Sequence, residues 1–407
     1  MLVPKLRFKR EDGTEYPKWN NQKLSAVSSR VTRKNKGNIT DIPLTIASLY
    51  GLVDQREYFK KTIASQNMEG YYLLYNGEFA YNKSYSKGYD FGAIKRLDKY
   101  KYGALSTLYI CFALNDTVSS NYMTHYFDSQ KWNKEVSIRC AEGARNHGLL
   151  NISTEDFFDI NMILPTDIEE QQKIADFLST VDEVIAQSEA EVQNLEQQKK
   201  AAMQKIFSQE VRFKREDGTE YPEWEEKELA YCFEERDTKQ VPTDEAPLMA
   251  FIAYKGVADK GDRYDRSYLV KTEDKKYKRT EYNDFIYSSN NLDVGSIGLN
   301  KYGTAVISVV YEIFRVKDTA IPDFINVLVQ TPENMYKIIR YRQGCLYGQY
   351  KIFADDFLSV KTAIPCLEEQ QKIADFLSAY DEAIRYAKQE LEHWKQLKKG
   401  LLQQMFV

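Results

Sequence analysis

Two words occur twice in the chain, letter for letter, and their spacing constrains everything else it can fold into. RFKREDGTEYP fills residues 7–17 and again 212–222; EEQQKIADFLS fills 169–179 and again 368–378. The chain therefore runs as a box (6–24), a variable segment, a helix box (168–207), a second box (211–229), a second variable segment and a second helix box (367–407). A period of about 200 is far beyond the roughly 20–50 residues of a solenoid unit, so the repeat is a duplicated domain with its connector. Each DGTEYP core reads as a turn, at Asp12-Gly13 and Asp217-Gly218, leading to Trp19 or Trp224, which should pack on neighbouring structure. The second box follows the first helix box directly, so by symmetry the first box should lie near the end of the second helix.

The helix boxes carry the clearest periodicity. Ile174, Leu178, Val181, Ile185, Ser188, Val192, Leu195, Lys199, Ala202 and Ile206 step by four and three without a break. Ile373, Leu377, Tyr380, Ile384, Ala387, Leu391, Trp394, Lys398, Leu401 and Met405 repeat the register. More than four heptads at a 3.5 period predict a coiled-coil seam. Thr166 and Glu169, just after Pro165, have the spacing of a capping box; Cys366 stands in the corresponding place of the second copy. Lys199 and Lys398 fall on the seam, either fixing register or snorkelling outward. The two helices most simply pack on each other, antiparallel, each starting from its own globular domain. The seam would span about 48 Å, a length suited to holding two heads on DNA half-sites about 34–36 Å apart. Structural proteins use coiled coils as spacers too.

The variable segments predict α+β domains. NGEFAYNKSYSKGYDFGAIKRLDKYKYGALSTLYICFAL (76–114) and NDFIYSSNNLDVGSIGLNKYGTAVISVVYEIFRV (283–316) align as short strands bounded by Gly, Asn and Asp turns. IPDFINVLVQT (321–331) reads as helix. Scaffold words are copied verbatim while the loops between matching strands diverge, which suggests two heads that read different things. The divergent loops supply the candidates: Asn82, Lys83, Ser84, Tyr85 and Lys87 in one copy, Ser288, Ser289, Asn290 and Asn291 in the other. Asn, Ser, Lys and Arg are side chains that contact base edges and phosphates; solvated loops use the same letters. A third pair, CAEGARNHGLLNI (140–152) and YRQGCLYGQYKI (341–352), places Arg145 and His147, or Arg340, Arg342 and Gln343, around a glycine. Gly143 and Gly344 are read as chain turns and the arginines as phosphate contacts.

Charge points the same way in one half only. Net charge is −4, yet residues 30–105 hold thirteen Lys/Arg against seven Asp/Glu, and they include Arg30, Arg33, Lys34 and Lys36. Residues 166–207 hold four against nine, and 230–365 hold nineteen of each sign. A basic face on an acidic protein is what DNA feels locally.

Other chemistry is missing from the pattern. There is no G-x-x-x-x-G-K-[ST] loop, no N-P-P-[FY] run, no G-x-G-x-x-G after a strand and no Pro-Asp followed by [DE]-x-K. His125, His147 and His393 are scattered, and the five cysteines form no C-x-x-C pair, so neither a metal site nor a triad is expected. Reduced thiols, no membrane-spanning run and no signal-peptide core predict a cytoplasmic protein.

The order of box, variable domain and EEQQKIADFL helix, twice over, resembles the specificity subunit of type I restriction–modification enzymes, across essentially the whole chain. The resemblance implies two tandem target recognition domains (1–165 and 208–365, each with its repeat box) and two conserved spacer helices (166–207 and 366–407). The helices would pack as an antiparallel coiled coil with a pseudo-twofold internal repeat. Each domain would read one half of a bipartite double-stranded DNA target. The helices, through Ile174, Leu178, Val181 and Ile185 and through Ile373, Leu377, Tyr380 and Ile384, would set the spacer and dock partners. Those partners would be two methyltransferase subunits using S-adenosylmethionine and two restriction subunits using ATP and magnesium; the chain itself would bind no cofactor and catalyse nothing. The assembly would be an ATP-dependent endonuclease and adenine-N6 DNA methyltransferase of phage defence. A coiled-coil adaptor binding proteins through two heads is the alternative, and would show no salt-dependent DNA affinity.

Overall fold

The computed structural model describes residues 3–47, 51–59, 67–85, 88–140, 150–259, 274–292, 295–344 and 350–407. The chain forms two compact units: residues 1–191 with 387–407, and residues 192–386. Each unit contains one variable domain, the start of the helix that follows it, and the end of the other long helix.

The first unit opens with β1 (Asn20–Lys23), a helical turn α1 (Leu24–Val27) and β2 (Ser28–Arg30). β3 (Leu44–Ala47) pairs with β4 (Gly51–Asp54), which runs into α2 (Gln55–Phe59). β5 (Tyr72–Tyr75), β6 (Phe79–Asn82), β7 (Ala93–Arg96), β8 (Tyr102–Leu105) and β9 (Ile110–Leu114) follow. Then α3 (Ser120–Asp128), α4 (Asn133–Arg139), α5 (Thr154–Phe158) and β10 (Asn161–Leu164) lead into α6 (Ile168–Phe207), 40 residues long. An antiparallel sheet in the order β2-β9-β6-β7 divides the domain core. Successive side chains of a strand point to opposite faces. Phe79, Tyr81, Ile110, Phe112 and Ile94 face a core shared with α3, α4, α5 and the helix ends. Between them Ala80, Cys111 and Ala93 face a second core under the strand pairs β3–β4 and β5–β8. Both faces are covered, so these strands read as continuous apolar runs. Large aromatics fill the first face, with Tyr81 stacked on Phe157 at 4.6 Å, while small residues let the strand pairs approach the second. Gly92 closes the β6–β7 turn at φ +79°, where a Cβ would stand 2.1 Å from the Asn82 carbonyl oxygen.

The second unit repeats the plan. β11 (Glu225–Glu228), β12 (Phe233–Glu235), β13 (Lys239–Gln240), β14 (Ala250–Ile252) and β15 (Gly256–Ala258) come first. β16 (Tyr277–Thr280), β17 (Phe285–Tyr287), β18 (Ile297–Leu299), β19 (Ala305–Ile307) and β20 (Glu312–Val316) follow, with the main sheet in the order β12-β20-β17-β18. α7 (Pro322–Val329), α8 (Pro332–Ile339), the strands β21 (Gln343–Gly344) and β22 (Tyr350–Lys351), α9 (Ala354–Leu358) and β23 (Lys361–Ile364) precede α10 (Leu367–Met405). α7 lies within the segment predicted helical, its proline at the first turn where no N–H is missed. Register makes the copies comparable residue by residue. Arg30 pairs with Phe112 and Phe112 with Phe79; Glu235 pairs with Phe314 and Phe314 with Phe285. Likewise Tyr81 faces Ile110, and Tyr287 faces Glu312.

Every seam position of both helices is buried or half-buried. In the first unit Ile174 and Leu178 join Met405 and Phe406 in the aromatic core; in the second, Ile373 and Leu377 join Ile206. The start of one helix thus packs beside the end of the other, the antiparallel arrangement. Both seam lysines make ion pairs between the helices, Lys398 to Asp182 and Lys199 to Asp381, each at 2.5 Å, their stems in the seam and their ammonium groups at its partly exposed edge. The capping-box expectation is corrected: α6 begins at Ile168, and the carboxylate of Asp167, not Thr166, accepts from the Glu169 N–H at 2.9 Å. Asp167 stands one residue nearer the first free N–H groups.

The verbatim words prove to be two parts of one contact. The Arg7 guanidinium donates to both oxygens of the buried Glu170 carboxylate at 2.7 and 2.9 Å, and the Trp19 indole donates to the same group at 3.1 Å. Arg10 pairs with Asp167, and the Tyr16 hydroxyl donates to Glu169. In the second copy Arg212 and Trp224 bind Glu369 in the same way, and Arg215 pairs with Glu368. The next letter is used as well: Gln171 donates to the Pro165 carbonyl and accepts from the Ser119 N–H at the start of α3. Gln370 does the same with Pro365 and Ile321. The Asp-Gly turns have the expected form, with Gly13 at φ +85° and Gly218 at φ +83°. The first box does lie by the end of α10, the Leu6 N–H donating to the Gln404 carbonyl as that of Val211 does to Lys205.

Candidate nucleic-acid interface

Two candidate stretches far apart in sequence converge in each unit. In the second, the loop after β17 lies against β22. Ser289 Oγ accepts from the Ile352 N–H at 2.9 Å, and the Asn290 side-chain oxygen accepts from the Tyr350 N–H. The Tyr287 hydroxyl donates to the Ile352 carbonyl at 3.1 Å. In the first unit the link is backbone to backbone, Leu150 N–H to the Lys83 carbonyl at 3.0 Å. Asn82 turns the loop there by accepting from the Ser84 N–H, and Tyr85 stands 54% exposed beside it.

Not every candidate presents itself to a ligand. Ser288 and Ser289 are buried, so their hydroxyls shape the loop, whereas Asn290 and Asn291 are exposed. Arg342 lies over the Tyr350 ring at 5.4 Å, and Gln343 donates to Asp356 at 3.3 Å. Arg340, exposed at the end of α8, leans on Tyr336. Gly344 belongs to β21, opposite Tyr350, and is not the turn expected of it. Lys87, Arg145, His147 and Gly143 lie outside the described residues.

The remaining basic candidates form a separate patch. Arg30 sits level with Phe79, the first residue of β6, and Asn82 is the last, about 10 Å further along at the usual rise per residue. Arg33 is committed to both oxygens of Glu78 at 2.8 and 2.6 Å, with its guanidinium 3.6 Å from the centre of the Tyr75 ring. Lys34 donates to the Gly70 carbonyl and lies over Tyr72. Arg30 and Lys36 are exposed, and their side chains make no hydrogen bond or ion pair among the described residues. The helix candidates Ile174, Leu178, Val181, Ile373, Leu377 and Ile384 are buried, and Ile185 and Tyr380 half-buried, so these side chains form the seam.

Lys351 was not singled out in the sequence. It lies inside a stretch noted for its polar cluster, and the usable signal was a lysine where the first copy has Asn151. Its side chain is 44% exposed, and its ammonium reaches the buried Glu312 carboxylate at 3.2 Å. Lys278 reaches the other oxygen of Glu312 at 2.8 Å and Asp237 at 3.2 Å. Burial works against the Lys278 charge, but Glu312 and Asp237 more than offset it, so its pKa is raised.

Among the described residues no cluster of His, Cys, Asp or Glu has the makings of a metal site, and no helix is long and apolar enough to cross a membrane. Cys111 and Cys232 are buried free thiols whose pKa values are pushed up to about 12 by burial, so neither is poised as a nucleophile.

The architecture matches two solved chains over nearly their full lengths. One is the S subunit of a type I restriction–modification system from M. genitalium, at 13% identity and a TM-score of 0.55, covering 100% of this chain and 99% of that one. The other comes from a study of complex assembly and conformational transition of the type I R-M system, at 15% identity and a TM-score of 0.55, covering 95% and 97%. The fold is that of a type I S subunit. Residues 57–197 and 223–395 both match the type I restriction modification DNA specificity domain, and the chain belongs to that family. No functionally curated protein matches its sequence.

Proposed function

We propose that the chain is the DNA-recognition subunit of a cytoplasmic type I restriction–modification complex, reading a bipartite target with one half-site per unit. The observation that carries this is the division of labour within the repeat. The copied words are consumed by buried contacts between box and helix, while the divergent loops converge at one end of each sheet. Recognition by divergent loops on a rigid scaffold is how base readout is separated from positioning. Methyltransferase subunits would bring S-adenosylmethionine, and restriction subunits ATP and magnesium; this chain would contribute recognition and no chemistry. With the seam side chains occupied, docking would fall to outward faces of the repeated words, where Phe177 on Phe8 and Phe376 on Phe213 remain exposed in matching positions.

The test is to express the chain with its methyltransferase subunit and map methylated adenines in the host genome. A split target is expected, and exchange of residues 25–165 for another variable domain should change one half of it. A change in both halves, or duplex binding that gains nothing over random DNA at two salt concentrations, would overturn the reading.

A further inference from the structure

At two matching places the second unit buries a charge and the first buries a neutral side chain. Glu312 corresponds to Ile110 through its pairing with Tyr287 or Tyr81. Lys278, opposite Lys239, corresponds to Tyr72, opposite Lys34. Lys351 corresponds to Asn151, each preceding a buried isoleucine two residues before α9 or α5. The first unit folds with neutral residues at all three places, so the scaffold does not require the ions. Replacing a buried ion pair by well-packed apolar groups is often neutral or stabilising, so fold stability alone does not account for the set. What the ions do locally is pin one short strand. β22 and the residue after it are held at Tyr350 by Asn290, at Lys351 by Glu312, and at Ile352 by Ser289 and Tyr287. Across β21–β22, Lys351 faces Gln343, beside Arg342 stacked over Tyr350.

We propose that Glu312 is a positioning residue for recognition: through Lys351, and anchored by Lys278, it fixes the β21–β22 pair as the reading element of the second half-site alone. This rests on the DNA-reading function proposed above. The ammonium of Lys351 is a point charge on a flexible stem. Held by a buried carboxylate on one side, it leaves its other donors at a defined place for acceptors on the DNA.

The experiment uses the intact chain with its methyltransferase subunit and duplexes carrying single mismatches in either half of the mapped target. The variants are Glu312→Ile and Lys351→Asn, the first unit's own residues, and their combination. Lys278 keeps Asp237 in the Glu312→Ile variant. Each single variant should lower discrimination at the second half-site on the order of 10-fold, the value of one good base contact, and leave the first half-site unchanged. The combination should be no worse than Lys351→Asn alone. Unchanged discrimination in Glu312→Ile, equal losses at both half-sites, or additive effects in the combination would overturn the proposal. If Glu312→Ile fails to fold, Glu312→Gln takes its place in the same cycle with the same readings. Absence of any half-site preference in the parent would sink the DNA-reading function itself, a result distinct from these.

Discussion

At matching places on their sheets the first unit carries Arg30, Tyr72 and Ile110, and the second Glu235, Lys278 and Glu312. Behind those places the two cores barely differ: Phe79 and Phe285, Phe112 and Phe314, Phe157 and Phe357 all face the helices. The difference teaches where variation is tolerated. A side chain facing the shared helices must keep its volume, because packing there is dense. Ile110, at the start of β9 on that same face, is the exception: Glu312 takes its place, and Lys278 arrives with it as partner. The first unit leaves Arg30 exposed on its sheet; the second holds Lys278 and Glu312 in an ion pair.

The largest effect that tests this comparison lies at the box–helix contact. Arg7→Ala leaves the buried Glu170 carboxylate without its cation and with only the Trp19 indole as donor, and should cost about 3–5 kcal/mol by chemical denaturation. Trp19→Ala should cost about as much. Trp224→Ala should cost clearly less, because Trp224 is half-buried while Trp19 is 1% exposed. Equal costs would mean that the two contacts are not graded by burial.

A smaller effect separates the units by pH. His125 of α3 is buried 3.1 Å from Ser179 Oγ and 3.7 Å from Asp182, and desolvation lowers its pKa despite that carboxylate. Val327 holds the corresponding place, three residues past the aromatic that packs on the tryptophan. A histidine with a lowered folded pKa contributes its stability above the unfolded value of about 6.5, and the stability falls as pH drops below it. Melting of the first unit should therefore weaken below that pH, and His125→Val should remove the dependence. An unaltered pH profile in that variant would refute the assignment. Smaller still, Lys398→Ala, which removes a partly exposed ion pair to Asp182, should cost about 0.5–1 kcal/mol. The smallest effect concerns DNA: Lys36→Ala should reduce the slope of log affinity against log salt by about one if the residue meets a phosphate. Val241→Ala, at the matching place in the second unit, should leave the slope unchanged.

Much of this was legible in the letters, and what was not has a physical reason. The seam could be read because a 3.5 period is local, and the repeated words could be read as scaffold because they repeat. The cap at Asp167 was missed by one residue, since Thr and Asp are both good caps and only backbone geometry chooses between them. Ser288 and Ser289 read as exposed loop; their burial depends on strand β22 some sixty residues away, which no local pattern announces. Arg33 read as a free cation because Glu78, in the turn between β5 and β6, reaches it only once the start of β5 lies beside it, the Leu73 N–H donating to the Arg33 carbonyl. Glu312 was hidden inside an apolar strand, where a single carboxylate looks like an edge residue until its two lysines come into place.

The buried amide of Gln171 and its counterpart Gln370 set an angle. Each ties the first turn of a long helix to the proline that follows the last strand, Pro165 or Pro365, and to the helix beginning near Ser119 or Ile321. A 40-residue helix is a lever about 60 Å long. A tilt of about 5° at its base moves its tip about 5 Å, more than the roughly 3.4 Å between successive base pairs. A subunit that spaced two half-sites with such a helix would need angular stiffness at the launch point more than stability anywhere along the shaft. One glutamate and one glutamine supply that stiffness in two consecutive letters of each copy, Glu170-Gln171 and Glu369-Gln370.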